Sequence, residues 1–283
     1  MEYFKLNNGM RIPAVGFGVY LIPSKEVGPA LKEAFKDGYR LIDTANAYLN
    51  EVAVGQAIKA SGLKREEIFL TTKLWPSEYE NAKAAIAATL KRLDTPYIDL
   101  LLLHQSIGNY LAAWKALEEA VDQGLVKAIG ISNFTVERYA DLLKHARIIP
   151  AVSQDEFHPF YPSPKLKDAF RKEKVVMESW YPLGHGDQAL IEAPIFGLLG
   201  KKYHKTNAQI ILRWHYQMGN VTLPKSLNPI HIKENLGIFD FTLTQDEMAA
   251  IAKLDRGYPY YPVGDAENEK RLLQWNPNFE EQH

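Results

Sequence analysis

The chain contains no cysteine, which excludes disulfides, thiolate nucleophiles and cysteine-ligated metals together. That absence fits a reducing compartment, and the expectation is a cytoplasmic protein. Long apolar runs are missing as well. No segment approaches the roughly 18 apolar residues of a membrane span, and the amino terminus, MEYFKLNNGMRIPAVGFG, lacks the basic region and apolar stretch of an export signal. Nor does charge of one sign dominate: Lys and Arg total 33 against 34 Asp and Glu, a formal net charge of -1. No global field therefore draws the molecule to nucleic acid or to an anionic membrane. Eight histidines are present, but none pairs at a spacing of three or four and no H-E-x-x-H occurs, so no metal site is expected.

What is there is the balance of a globular protein, 46% hydrophobic and 24% charged over 283 residues. Short β-branched runs alternate with longer stretches of helical period. AVGFG (14–18), RLID (40–43), FLTTK (69–73) and IDLLLLH (98–104) read as strands, followed by VKAIGIS, AVSQDE, VVMESWY and VTLP. Between them SKEVGPALKEAFKDG, ENAKAAIAATLKRL, YLAAWKALEEAVDQG and AQIILRWHYQMG repeat apolar residues at three and four, as amphipathic helices do. Continuously apolar strands joined by helical crossovers point to a parallel sheet. Eight such units suit a closed (β/α)8 barrel better than a doubly wound sheet, whose first turn needs a third glycine where GFGVYLIP has Leu21. YFKL and RIPA, flanking Asn8 and Gly9, predict a hairpin at the barrel bottom. No linker or low-complexity tract divides the chain, so one domain over 1–283, with a carboxyl-terminal helix and loop, is expected.

Such a barrel builds its active site at the carboxyl ends of its strands. Asp43 ends the second expected strand, Lys73 the third and His104 the fourth, and Tyr48 follows Asp43 in the loop. Ser132, Asn133, Gln154, Trp180, Lys225 and Ser226 fall at later strand ends. Singly each has an ordinary structural reading: Asp43 and Lys73 as an ion pair, His104 as a hydrogen-bonded histidine. Jointly they have a chemistry. A tyrosine of pKa about 10 is a poor acid, and a nearby ammonium lowers that value. Lys73 supplies the ammonium, Asp43 neutralises it, and His104 orients a carbonyl oxygen beside Tyr48. Such a set protonates an oxygen gaining negative charge, as in carbonyl reduction, and because no side chain donates hydride a nicotinamide cofactor is implied. LPKS (223–226) before the expected helix HIKENLGIF offers a phosphate site.

These motifs resemble the aldo-keto reductases from end to end. GYRLIDTANAYLNEVAVG (38–55) is similar to the family signature, and TTKLW, LLLHQ, GISNF and LPKS follow in the family's order. The resemblance implies a TIM barrel that binds a nicotinamide dinucleotide without a Rossmann fold, and a tetrad of Asp43, Tyr48, Lys73 and His104 with Tyr48 as general acid. It further implies that Gly18 and Val19 lie near the cofactor, that Ser132, Asn133 and Gln154 bind the carboxamide, and that Trp180 stacks on the ring. Leu183 and Gly184 would approach the pyrophosphate, Lys225 and Ser226 the 2'-phosphate, and Glu234 and Asn235 the adenine. Tyr20 and Trp75, with Tyr48 and His104, would form the substrate pocket, joined by tail aromatics from YPYYP and Trp275. His231 stands where the family usually has arginine for the 2'-phosphate, and histidine offers neither permanent charge nor a bidentate fork. NADPH is the expected cofactor, with NADH use opened by that change. Gln105 and Ser106 replace the usual Trp and Pro after the histidine, and Val19 a common threonine. ESWYPLGHGD and LHQSIGNYLAAW are most similar to the bacterial 2,5-diketo-D-gluconate reductase group, whose substrates include dicarbonyls and keto sugar acids. The expectation is a monomeric reductase of small carbonyl compounds, the alternative a cofactor-sensing subunit of the same fold.

Overall fold

The computed structural model describes residues 1–282. The chain opens with an antiparallel hairpin of β1 (Tyr3–Lys5) and β2 (Arg11–Pro13), paired Tyr3 to Pro13 and Lys5 to Arg11. Its turn uses Gly9 at φ +90°, a conformation that suits glycine. Eight parallel strands follow: β3 (Phe17–Gly18), β4 (Leu41–Asp43), β5 (Phe69–Leu74), β6 (Ile98–Leu103), β7 (Val126–Ser132), β8 (Val152–Glu156), β9 (Val176–Trp180) and β10 (Val221–Thr222). Each pairs with its sequence neighbour, and a parallel bridge between Val15 and Thr222 closes the sheet on itself. At that seam the Gly16 N–H donates to the Thr222 oxygen at 2.8 Å and the Thr222 N–H to the Ala14 oxygen at 3.1 Å. A Cβ on Gly16 would stand 2.5 Å from the Leu41 side chain, so only glycine fits there. The result is a (β/α)8 TIM barrel with an amino-terminal hairpin, as the strand count predicts.

The helices are α1 (Ser24–Asp37), α2 (Glu51–Ala60), α3 (Ala82–Leu93), α4 (Tyr110–Asp122), α5 (Val136–His145), α6 (Pro164–Arg171), α7 (Gln188–Ile191), α8 (Pro194–Tyr203), α9 (Asn207–Gln217), α10 (Pro229–Leu236), α11 (Gln245–Ala252) and α12 (Ala266–Gln274). α1 shows why they form and where they stop. Val27, Ala30, Leu31, Ala34 and Phe35 make one buried stripe, and Gly38 at φ +105° ends the helix by donating to the Ala34 and Phe35 carbonyls. One helix is expected between β9 and β10, but α7 and α8 precede α9 there. The insertion begins with Tyr181, Gly184 and His185 at positive φ, a backbone path with no periodicity to announce it.

Side chains alternate between the two faces of each strand. Outward residues such as Ile42, Leu70, Leu101, Leu103, Ile129 and Ile131 join the helices in the larger apolar cluster. Inward residues at the amino end, Leu41, Phe69, Leu100, Leu102, Ala128, Val152 and Val221, fill the barrel floor, with Leu6 and Ile12 of the hairpin region packed beneath. Two residues further along the same inward rows stand Asp43, His104, Gln154 and Glu178, with Lys73 on β5. The floor is oily and the mouth is polar because the sequence changes character within one repeat of the strand.

Candidate active site

Lys73 is 0% exposed, and its ammonium has three hydrogens to satisfy. It donates to Asp43 Oδ1 at 2.7 Å, to the Thr44 oxygen at 2.9 Å and to the Tyr48 hydroxyl at 3.1 Å. Tyr48 reaches this point because a short turn, Asn46–Tyr48, follows β4 and ends on Leu49 at φ +54°. Asn46 Oδ1 accepts the Trp75 N–H at 3.1 Å, and Asn50 ties the same loop to the Val19 and Ile22 carbonyls. Behind Lys73, the neighbouring Thr72 hydroxyl donates to Glu51 at 2.6 Å, and Arg92 donates to Glu51 at 2.8 Å. The strand is thus fixed from both faces.

His104 follows β6, with its N–H donating to the Leu74 oxygen at 3.0 Å. Its ring meets Trp75 edge-on at 5.0 Å and Tyr48 at 5.8 Å between centroids, and Nδ1 is buried without a partner among the described residues. Asn133, at φ +58°, donates through Nδ2 to the His104 oxygen at 3.0 Å and to Ser132 Oγ at 3.1 Å, while its Oδ1 accepts the Trp180 indole N–H at 3.1 Å. Gln154 Nε2 donates to Asp43 Oδ2 and to Glu178 Oε2, each at 2.7 Å.

Burial dominates the titration of this cluster. It pushes the Tyr48 phenol up to about 12 against the downward pull of Lys73. Lys73 does act in the expected direction, but removal of the phenolate from water outweighs it. For Lys73, burial opposes the charge, yet Asp43 and Tyr48 together hold its pKa above the ordinary lysine value. Burial, with Lys73 adding, holds His104 well below the usual imidazole range. Burial also raises the Asp43 carboxyl, and it lifts Glu178 to about 8 with Asp43 contributing.

These groups open onto a cavity of about 830 Å³ at the barrel mouth. Gly18, Tyr20, Asp43, Tyr48, Trp75 and His104 line one part, and Ser132, Asn133, Gln154, Trp180, Leu183 and Lys225 continue it toward the seam. Tyr261 and Trp275 complete the wall, and the Trp75 indole N–H donates to the Trp275 oxygen at 3.0 Å. Tyr258 is exposed, and Tyr260 instead packs against His158 and hydrogen-bonds Asp187. Other expected residues lie off the cavity. Val19 is buried behind it, donating its N–H to the Asp43 oxygen at 3.0 Å, and Gly184 turns at φ +59° against Leu190. Ser226 lies just past the lip, and α10 carries exposed His231, half-buried Glu234 and buried Asn235 beyond it.

Glu178, Arg271 and Leu272 are among the residues that sequence reasoning passes over. Arg271 and Leu272 reach the wall from α12, and no local motif marks them. Glu178 does carry a signal, an acid on the inward row of an otherwise buried strand. The mouth suits a nicotinamide dinucleotide. A buried amide pair, Asn133 and Gln154, stands beside the half-buried Trp180 indole, and Lys225 is exposed where the cavity meets the seam.

Comparison with known proteins agrees with this architecture. The model of the aldo/keto reductase family matches residues 15–256. Methylglyoxal reductase DkgA of Escherichia coli (strain K12) is 40% identical over 264 residues, covering 92% of this chain and 96% of the relative. Glyoxal reductase of Bacillus subtilis (strain 168) is 42% identical over 256 residues, covering 89% and 92%. The crystal structure of MGS-M4, an aldo-keto reductase enzyme from a Medee basin deep-sea metagenome library, matches with a TM-score of 0.90 at 38% identity, covering 93% of this chain and 98% of that one. With the barrel, the order of its motifs and relatives matched along nearly their full length all in agreement, the chain belongs to the aldo/keto reductase family and is an oxidoreductase of carbonyl compounds.

Proposed function

We propose that this enzyme reduces small aldehydes, ketones and dicarbonyls to alcohols, with NADPH as the hydride source and Tyr48 as the general acid. One observation carries the reading: the Asp43 carboxyl, Lys73 ammonium and Tyr48 phenol form a buried line whose end meets His104 in a single cleft. When bound, the nicotinamide supplies the hydride that no side chain can. As charge builds on the carbonyl oxygen, the Tyr48 hydroxyl gives up its proton, and Lys73 stabilises the phenolate left behind. A phenol at about 12 keeps its proton at neutral pH. An alkoxide is more basic still, so the transfer runs downhill. His104 is held neutral by burial and by Lys73. With Nδ1 sealed in the protein, the proton on Nε2 is the one left to orient the substrate oxygen.

For the cofactor, Ser132, Asn133 and Gln154 would take the carboxamide and Trp180 the ring face. Gly18 and Leu183 would border the nicotinamide and pyrophosphate, with Val19 and Gly184 supporting the wall behind them, Lys225, Ser226 and His231 the 2'-phosphate, and Glu234 with Asn235 the adenine. Aromatic walls from Tyr20, Trp75 and Trp275 favour small, planar carbonyl substrates. Relatives named for methylglyoxal and glyoxal support dicarbonyls among them.

The test is the initial rate of NADPH and of NADH oxidation with methylglyoxal, glyoxal, simple aldehydes and keto sugar acids. Tyr48→Phe should lower kcat by about 10²- to 10⁴-fold while leaving dinucleotide affinity intact. His231→Arg should raise the preference for NADPH over NADH, since it restores a permanent charge and a fork for phosphate. A wild-type enzyme that binds the dinucleotide yet reduces nothing would replace this reading with cofactor sensing.

A further inference from the structure

Glu178 is 0% exposed at the middle of β9, and one of its carboxyl oxygens, Oε1, has no hydrogen-bond partner among the described residues. An acid kept in such a place at a cost of desolvation invites the question of what its other oxygen does. Oε2 accepts from Gln154 Nε2 at 2.7 Å, while Asp43 Oδ2 takes the same nitrogen at 2.7 Å. Both hydrogens of one amide nitrogen are thereby consumed, and no described group donates to Gln154 Oε1. A single bond to Asp43 would leave the amide free to pivot and swing its second N–H toward the cleft. Two acceptors on one nitrogen fix the amide plane. The neighbouring amide is engaged as well: Asn133 has both hydrogens on the His104 oxygen and Ser132 Oγ, and its oxygen holds the Trp180 indole. Gln154 Oε1 is then the side-chain amide oxygen of this pair that no donor among the described residues occupies.

We propose that Glu178 is a positioning residue: by accepting the second N–H of Gln154 it locks that amide so that only its carbonyl oxygen faces a bound nicotinamide carboxamide. This rests on the reductase reading above. The locked oxygen selects for a donor, the carboxamide NH2, and discriminates against a ring substituent that lacks one. Burial, with Asp43 adding, pushes the Glu178 carboxyl up to about 8, a direction that favours the neutral acid as the Oε2 acceptor beside Asp43.

The test measures binding of NADP+ and NAD+, each beside its 3-acetylpyridine analogue, by quenching of tryptophan fluorescence. In the analogue a methyl group replaces the carboxamide NH2. Glu178→Ala should weaken binding of the natural dinucleotide by about tenfold, the size of one hydrogen bond, and change analogue binding less than about twofold. Glu178→Gln, whose amide oxygen can still accept, should restore the discrimination. In a Gln154→Ala background, Glu178→Ala should add nothing. Glu178→Leu, which refills the volume, serves the same comparison where the alanine variant does not fold. Equal losses for natural and analogue dinucleotides, or no loss in either, overturn the proposal while leaving the reductase reading standing. A wild-type enzyme that binds no nicotinamide dinucleotide removes both.

Discussion

The two ends of the barrel interior are built from the same strands by different physics. At the amino end, Leu41, Phe69, Leu102 and Val152 fill space and make no hydrogen bonds from their side chains. One strand repeat further on, Asp43, Gln154 and Glu178, with Lys73 beside them, are as deeply buried but held by directed bonds, and the three hydrogens of Lys73 are all used. Dispersion tolerates approximate shapes, whereas a buried polar cluster is stable only when it is satisfied as a unit. The floor should therefore set stability and the mouth should set chemistry, with Lys73 as the residue where the two meet.

The sharpest way to break that division is Lys73→Met. It strands the buried Asp43 carboxylate and should cost about 3–5 kcal/mol of stability together with most of the reductase activity. Denaturant unfolding and initial rates read the two losses separately. Leu102→Ala should do the opposite, costing about 2–5 kcal/mol through a floor cavity and leaving kcat/KM within about twofold, because a floor side chain lies outside the proton-donating cluster. A loss of activity without a loss of stability in that variant would dissolve the contrast.

A further test is one of pH. Glu178 has an ordinary carboxyl value of 4.5 and is pushed by burial up to about 8 in the folded chain, where Asp43 and Lys73 are the charged groups that bear on it. Asp155, buried beneath the Asn133 N–H and the Ser153 hydroxyl, moves from 3.8 to about 7. For a carboxyl with a raised folded value, the unfolded chain releases its proton first as pH rises. The contribution of Glu178 is thus fully present below 4.5 and lost as pH climbs through about 8. Urea unfolding at about pH 5 and about pH 9 should show stability falling across that window, and Glu178→Gln should flatten part of the slope. An unchanged slope in that variant would mean that Glu178 is ionised in the fold.

Much of this was legible in the sequence, and the parts that were not share a cause. Strand ends at Asp43, Lys73 and His104 could be read because parallel strands are apolar runs, and a polar residue closing such a run stands out. Tyr48 followed from its nearness to Asp43. The hairpin was readable from Asn8 and Gly9. The opposing influences on the Tyr48 phenol were not, because the ammonium is visible as a residue whereas burial is a property of the assembled barrel. Glu178 escaped for a related reason. Its partner Gln154 lies on the adjacent strand and the second acceptor, Asp43, sits 111 residues from that glutamine, so the arrangement exists only once the barrel has closed. α7 and α8 were missed because their path depends on left-handed backbone at Tyr181 and His185, which no periodic pattern encodes.

The seam between the first and last barrel strands also orders events in time. Residues 17–18 pair on one side with β4, but the bridge that closes their other side, Val15 to Thr222, needs chain that emerges from the ribosome more than two hundred residues later. A sheet lacking that last strand would keep an open edge, a template for pairing with other chains. The hairpin waits too, since Asn7 donates to the Pro150 oxygen and Asn8 to the Lys127 oxygen. The last barrel strand is therefore what turns an open sheet into a ring, and with it the lip between Gly18 and Lys225 forms.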